Sequence, residues 1–116
     1  MSFSVRENYH AVIFEIKGKF LGSIEGPEFK EKINEFKDAG KTQGIIDLSK
    51  ADFMDSSGIG LLISGLTTMR KAGGDLRLAG MKKRIKNIFL LTRLLGPVFE
   101  DYDTVEEALD SFQETS

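Results

Sequence analysis

Strand-like and helix-like hydrophobic patterns alternate along this chain, and that alternation restricts the fold more than any single residue does. Val12-Ile13-Phe14-Glu15-Ile16-Lys17 is rich in β-formers, with Val12, Phe14 and Ile16 facing one way and Glu15 and Lys17 the other. Phe3 and Val5 open a shorter strand that can pair with it as a hairpin through Asn8-Tyr9-His10. Helical signals begin at Pro27, suited to a first helical turn; Phe29, Ile33 and Phe36 then recur at i, i+4 and i+7, and Gly40 is the stop. Gly44-Ile45-Ile46-Asp47-Leu48 reads as a buried central strand, and the helix after it runs to about Ala72, ended by Gly73-Gly74. Leu76, Leu78 and Ala79 predict a short strand, Ile85, Ile88 and Phe89 a helix broken before Gly96-Pro97, and Val98 and Phe99 a last short strand. Thr104 with Glu107 forms a capping box, and Val105, Ala108, Leu109 and Phe112 lay one apolar stripe along a final helix. The order β-β-α-β-α-β-α-β-α predicts an α/β fold: a mixed, mostly parallel four- to five-stranded sheet packed with about four helices.

A length of 116 residues predicts one domain over 1–116, enough to bury a two-layer core, and 41% hydrophobic residues is ordinary for a globular chain. The net charge of −2 lacks the basic excess of a nucleic-acid binder. Without cysteine there is no disulfide, thiol catalysis or cysteine-bound metal. The start, Met1-Ser2-Phe3-Ser4-Val5-Arg6-Glu7, has no basic region leading into an apolar run, and no apolar stretch approaches the roughly 20 residues of a membrane helix. The chain therefore reads as a soluble cytoplasmic protein without a membrane segment, frayed only from Gln113 to Ser116.

Chemistry gathers at Phe53-Met54-Asp55-Ser56-Ser57-Gly58-Ile59-Gly60, where a strand end meets an acid, two hydroxyls, glycines and then the helical pattern Ile59-Leu62-Ile63-Leu66. The first N–H groups of a helix lack internal partners and carry partial positive charge, so a serine there can take a phosphate. The plainer reading is a helix cap, for which Asp55, Ser56 and Ser57 all qualify. Two hydroxyls and a carboxylate exceed what one cap needs, however. Gly58 and Gly60 in a first helical turn cost about 0.5–1 kcal/mol each against alanine, which predicts a close approach to the backbone.

The run Asp47-Leu48-Ser49 … Phe53-Met54-Asp55-Ser56-Ser57-Gly58-Ile59-Gly60-Leu61-Leu62 closely resembles the signature of STAS domains of the anti-sigma factor antagonist family. Gly18 after the second strand, Gly73-Gly74, and the tail Leu94-Leu95-Gly96 … Phe99 … Asp103-Thr104-Val105-Glu106-Glu107-Ala108-Leu109 extend the resemblance over nearly the whole chain. The resemblance implies a non-enzymatic partner switch. The unmodified protein binds an anti-sigma factor that is also a serine kinase (GHKL type) and frees the sigma factor. The kinase then phosphorylates the serine after the motif aspartate, here Ser56, and a PP2C-type phosphatase reverses the step. Ser57 fits a cap or a hydroxyl that orients its neighbour. Asp55 either orients Ser56 or positions the kinase's metal-bound nucleotide. Phe20, Leu21, Asp55, Ser56, Ser57, Gly58 and Ile59 are the expected partner-binding residues. In Gly18-Lys19-Phe20-Leu21, Leu21 stands where many antagonists carry an aspartate; Phe20 and Leu21 either tuck over the sheet edge or add apolar surface for a partner. A STAS scaffold or a subunit of a transport, secretion or sensory complex, with Ser56 only a cap, is the second reading.

Other candidates are weaker. Lys82, Lys83, Arg84 and Lys86 open the third helix and read as a solvated face, with an acidic patch on a partner as the alternative. His10, the sole histidine, falls in a hairpin turn, so a Ser-His-Asp triad would depend on it alone. Ser56 lacks the G-x-S-x-G elbow, and no phosphate-binding or dinucleotide loop is complete. Asp47, Asp52 and Asp55 suggest a divalent-metal site as in phosphoryl-accepting domains, but Ser56-Ser57-Gly58 fits a serine acceptor better. No metal or cofactor is therefore expected. Phe29, Phe36, Phe89 and Phe112 fall at helical spacing and read as core.

Overall fold

The computed structural model describes residues 2–114. Along the chain run β1 (Phe3–Glu7), β2 (Val12–Phe20), α1 (Gly22–Asp38), β3 (Gln43–Met54), α2 (Ser56–Lys71), β4 (Asp75–Ala79), α3 (Lys83–Leu91), β5 (Asp101–Tyr102) and α4 (Val105–Glu114). The five strands lie side by side in chain order, β1 antiparallel to β2 and every other neighbour parallel. This is the mixed, mostly parallel sheet with four helices that the alternating pattern predicts. Each parallel step needs a crossover, and α1, α2 and α3 supply them.

Those three helices pack on one face of the sheet. Their Phe29, Ile33, Leu62, Leu66, Met69, Ile85 and Phe89 meet Phe14, Ile16, Ile46, Leu48, Leu76 and Leu78 in the main core. Phe29 lies at its centre, with ring centroids 5.4–5.6 Å from Phe3, Phe14 and Phe20. The opposite face carries a second, smaller core, where Ala108 and Phe112 of α4 cover Ile13, Ile45 and Ala79. The protein thus has three layers rather than the two its length suggests. The cause is in the strands: Ile13 and Ile45 point away from Phe14 and Ile46, so the central strands are apolar on both faces and each face needs a cover. Phe36 packs at the edge of the main core and is only partly buried.

Several boundaries differ from those the sequence predicts. Gly18 does not close β2. It takes the left-handed region (φ 65°) at a register shift against β3, and this bulge lets the strand run on to Phe20. Pro27 does not open α1, which begins five residues earlier at Gly22. Its exposed ring leaves the Ser23 carbonyl without a helical donor on the side where water can replace it. The last strand is not at Val98 and Phe99. Phe99 donates to the Leu94 carbonyl (2.7 Å) and accepts from the Gly96 N–H (2.8 Å), so its backbone closes a loop, and pairing with β4 starts only at Asp101. The α4 cap is as expected, with the Glu107 N–H on Thr104 Oγ1 at 3.1 Å. Gln113 and Glu114 are helical, so the expected fraying there is not seen; Thr115 and Ser116 lie outside the described residues.

Candidate functional site

β3 ends in the buried Met54, and the chain turns through Asp55 into α2. Asp55 is the N-cap, with extended backbone. Its Oδ1 accepts three hydrogen bonds: from the Gly58 N–H (2.6 Å), from Ser57 Oγ (3.0 Å) and from the Gly22 N–H (3.1 Å). The third comes from the first residue of α1, a helix whose own cap residue, Leu21, offers no side-chain acceptor. One carboxylate oxygen therefore serves the starts of two helices. The Gly22 N–H, then the Gly58 N–H and the Ser57 hydroxyl, hold the Asp55 carboxyl below the usual aspartate range, against a smaller opposing effect of burial. Of the two roles expected of Ser57, the cap is filled by Asp55, and Ser57 instead donates its hydroxyl to that carboxylate.

Ser56 is exposed, and its hydroxyl forms no hydrogen bond among the described residues. It is thus the one side chain of Asp55-Ser56-Ser57 that the fold leaves unengaged. Of the other expected partner-binding residues, Phe20 is corrected: it is fully buried against Phe3 and Phe29, and its side chain presents nothing to a partner. Gly58 is buried too. A Cβ there would sit 2.4 Å from the Phe20 carbonyl oxygen, so the close approach that this glycine permits is by the protein's own backbone. Gly60 is exposed, with nothing within 4 Å of the same position. Leu21 and Ile59 are half-buried.

Sequence reasoning missed three residues here. Gly22 both donates to Asp55 and lies so close to Ser57 that a Cβ would meet its backbone carbon at 2.4 Å. Phe53, paired with Lys19 across the strands, is 44% exposed, and Ile24 in the first turn of α1 is 69% exposed. Period-two alternation past the buried Met54 could have found Phe53. Ile24 could not be placed while the helix was thought to start at Pro27. Between α1 and α2 an open groove of about 470 Å3 is bounded by Gly22, Gly26, Lys30, Ser57, Gly60 and Ser64.

His10 precedes β2 and Ser56 follows β3; because these strands are parallel, the two residues lie at opposite ends of the sheet and form no catalytic pair. The three aspartates are engaged separately. Buried Asp47 accepts the Ser49 N–H (3.0 Å), Asp52 pairs with Lys82 (2.8 Å), and Asp55 caps. Lys86 pairs with Asp101 (3.4 Å), whereas Lys83 and Arg84 are exposed without ion pairs among the described residues.

The sequence pattern of the STAS domain matches residues 2–108. An anti-sigma-B factor antagonist of Staphylococcus epidermidis is 26% identical over 95 residues, covering 81% of this chain and 88% of its own length. The solved structure of the Bacillus cell fate determinant SpoIIAA in its phosphorylated form has a TM-score of 0.73 at 25% identity, covering 94% of this chain and 97% of that one. An anti-sigma factor antagonist from Mycobacterium paratuberculosis reaches 0.80 at 20% identity, with 96% and 92% coverage, a likeness of fold alone. The matched pattern takes in every strand, the first three helices and the whole Asp55-Ser56-Ser57-Gly58 turn, and the chain belongs to the STAS domain family.

Proposed function

We propose that this protein is an anti-sigma factor antagonist whose affinity for its partner is set by phosphorylation of Ser56. The observation that carries this reading is the division of labour in the turn. Asp55, Ser57 and Gly58 are tied into the start of α2, while the Ser56 hydroxyl stands exposed and unbonded on the same helical end. A phosphate there adds about −1.5 to −2 charges and three acceptor oxygens where helix N–H groups tolerate an anion. The fold survives, but the surface next to the ionised Asp55 becomes strongly negative. A partner that seats a bare hydroxyl, with apolar contacts to Leu21, Ile24 and Phe53, is then expelled.

The partner is a GHKL-type serine kinase acting as the anti-sigma factor, with a PP2C-type phosphatase resetting the switch. The antagonist itself is a cytoplasmic regulator without catalytic activity. The name of the Staphylococcus relative, an anti-sigma-B factor antagonist, supports an anti-sigma factor as the partner, and the Bacillus relative solved in a phosphorylated form supports a phosphate switch.

The test is titration of wild type, Ser56→Ala, Ser56→Asp and Ser57→Ala with an anti-sigma kinase from the same genome, together with phosphate transfer from labelled ATP. Ser56→Ala should bind like wild type and take no phosphate. Ser57→Ala should still be labelled, and Ser56→Asp should bind at least about tenfold more weakly, a difference near 1.4 kcal/mol. Equal affinity for all four would refute the switch and leave a phosphorylation-independent scaffold.

A further inference from the structure

From Leu76 to Phe99 the chain contains no acidic residue, yet it carries Arg77, Lys82, Lys83, Arg84, Lys86 and Arg93 in a protein of net charge −2. Three of these cations are engaged: Arg77 with Asp75 and Glu100, Lys82 with Asp52, and Lys86 with Asp101. Lys83, Arg84 and Arg93 are exposed and have no ion pair among the described residues. Arg84 acts only at a distance, as a minor contributor to holding the Asp52 carboxyl low.

The same helix ends in two of the most exposed large apolar side chains of the protein. Leu90 is 54% exposed and Leu91 84%. Lys83 to Leu90 and Arg84 to Leu91 are each seven residues apart, two turns along α3, so cations and leucines share its outer face. Ile85 and Phe89, on the inner face, are fully buried. Past the helix, Arg93 takes a left-handed backbone (φ 59°), and Thr92 Oγ1 donates to the Ile88 carbonyl at 2.8 Å. This fixed end carries a third free cation next to the leucines.

A second copy of the chain is a poor occupant, because a self-paired face would set Lys83, Arg84 and Arg93 against their own like charges. A protein hot spot is a poor fit as well: such sites favour Trp, Tyr and Arg and are depleted in Lys, and this face has no aromatic anchor. Long cationic side chains beside projecting leucines match the headgroup and acyl levels of an anionic bilayer surface.

We infer that the outer face of α3 and the turn after it, with Lys83, Arg84 and Arg93 as headgroup contacts and Leu90 and Leu91 as the apolar insertion, form a reversible docking site for an anionic membrane surface. α3 starts past the C-terminal end of β4 and runs about 12 Å from Lys83 to Leu91, so the cations and the leucines occupy successive turns of one face.

Co-sedimentation of the purified protein with vesicles tests this. One set is phosphatidylcholine alone; the other is an equal mixture of phosphatidylcholine and phosphatidylglycerol. Wild type should pellet with the anionic vesicles only, and added salt should release it. Leu90→Ser/Leu91→Ser and Lys83→Gln/Arg84→Gln/Arg93→Gln should each bind at least about tenfold more weakly with unchanged circular dichroism. Three results would overturn the proposal: no sedimentation of wild type, pelleting of either variant to the same extent as wild type, or vesicle indifference combined with weakened kinase binding by the leucine variant, which would make the face a protein contact. The anti-sigma function stands or falls separately, because the kinase titration with Ser56 variants uses no lipid.

Discussion

Two glycines two residues apart in α2 should respond to alanine with opposite signs. A Cβ on Gly58 would lie 2.4 Å from the Phe20 carbonyl oxygen, and 3.1 Å from both Asp55 Oδ1 and Met54 Cγ. Ordinary contact begins near 3.4 Å, so the end of β2 and the start of α2 must separate by about 1 Å, and the obstacle is backbone rather than a side chain that can swing away. Overpacking of this kind costs about 1–3 kcal/mol. Replacing a helical glycine returns about 0.5–1 kcal/mol. The net loss for Gly58→Ala is then about 0.5–2 kcal/mol, or about 2–8 °C in Tm for a domain of this size. Gly60→Ala meets nothing within 4 Å and keeps the propensity gain, so its Tm should rise by about 2–4 °C. Differential scanning calorimetry of the two variants beside wild type is the assay. A Gly58→Ala protein as stable as wild type, or shifts of the same sign in both, would refute the claim that Phe20 rather than a ligand dictates Gly58.

Asp55 ionises below the usual aspartate range in the folded protein, so its stabilising contacts are at full strength above the unfolded value near 3.9 and vanish as pH falls through the lower folded one. Thermal melts of Asp55→Asn should therefore show a flatter acid arm below about pH 4 than wild type; parallel arms would contradict the triple-acceptor geometry. Ser56→Asp should keep its Tm within about 3 °C of wild type, since an anion at a helix start gains about 0.3–1 kcal/mol while the neighbouring Asp55 charge opposes it. Arg77 is 12% exposed at its side chain, pairs with Asp75 and Glu100, donates to Ser111 Oγ and lies 4.1 Å from the Phe112 ring centroid. Arg77→Ala should cost about 2–4 kcal/mol, with hydrogen exchange in α4 accelerated first.

The order of elements was legible because strands and helices differ in hydrophobic period, and that signal is local. What the sequence could not show came from contacts between segments far apart. The start of α1 is fixed by a carboxylate thirty-three residues away, so a search for a local cap near Gly22 finds nothing and settles on Pro27. The role of Gly58 depends on the Phe20 carbonyl, thirty-eight residues earlier in the chain. The second core was obscured because Ile13 and Ile45 lie inside continuous apolar runs, where period-two alternation gives no warning that both faces are covered. In the turn, the residue types were informative but their assignment was not: three oxygens could have capped the helix, and only the geometry separates Asp55 from Ser56.

Because Asp55 Oδ1 anchors two helix starts, substitutions across this short motif divide into two classes. A library selected for folding alone would retain Asp at 55 and Gly at 58 and accept many residues at 56. The proposed phosphoacceptor would be invisible in such a screen and would emerge only under selection for regulation. That would leave a lineage free to retune or silence the proposed switch by changing position 56 without dismantling the scaffold around it.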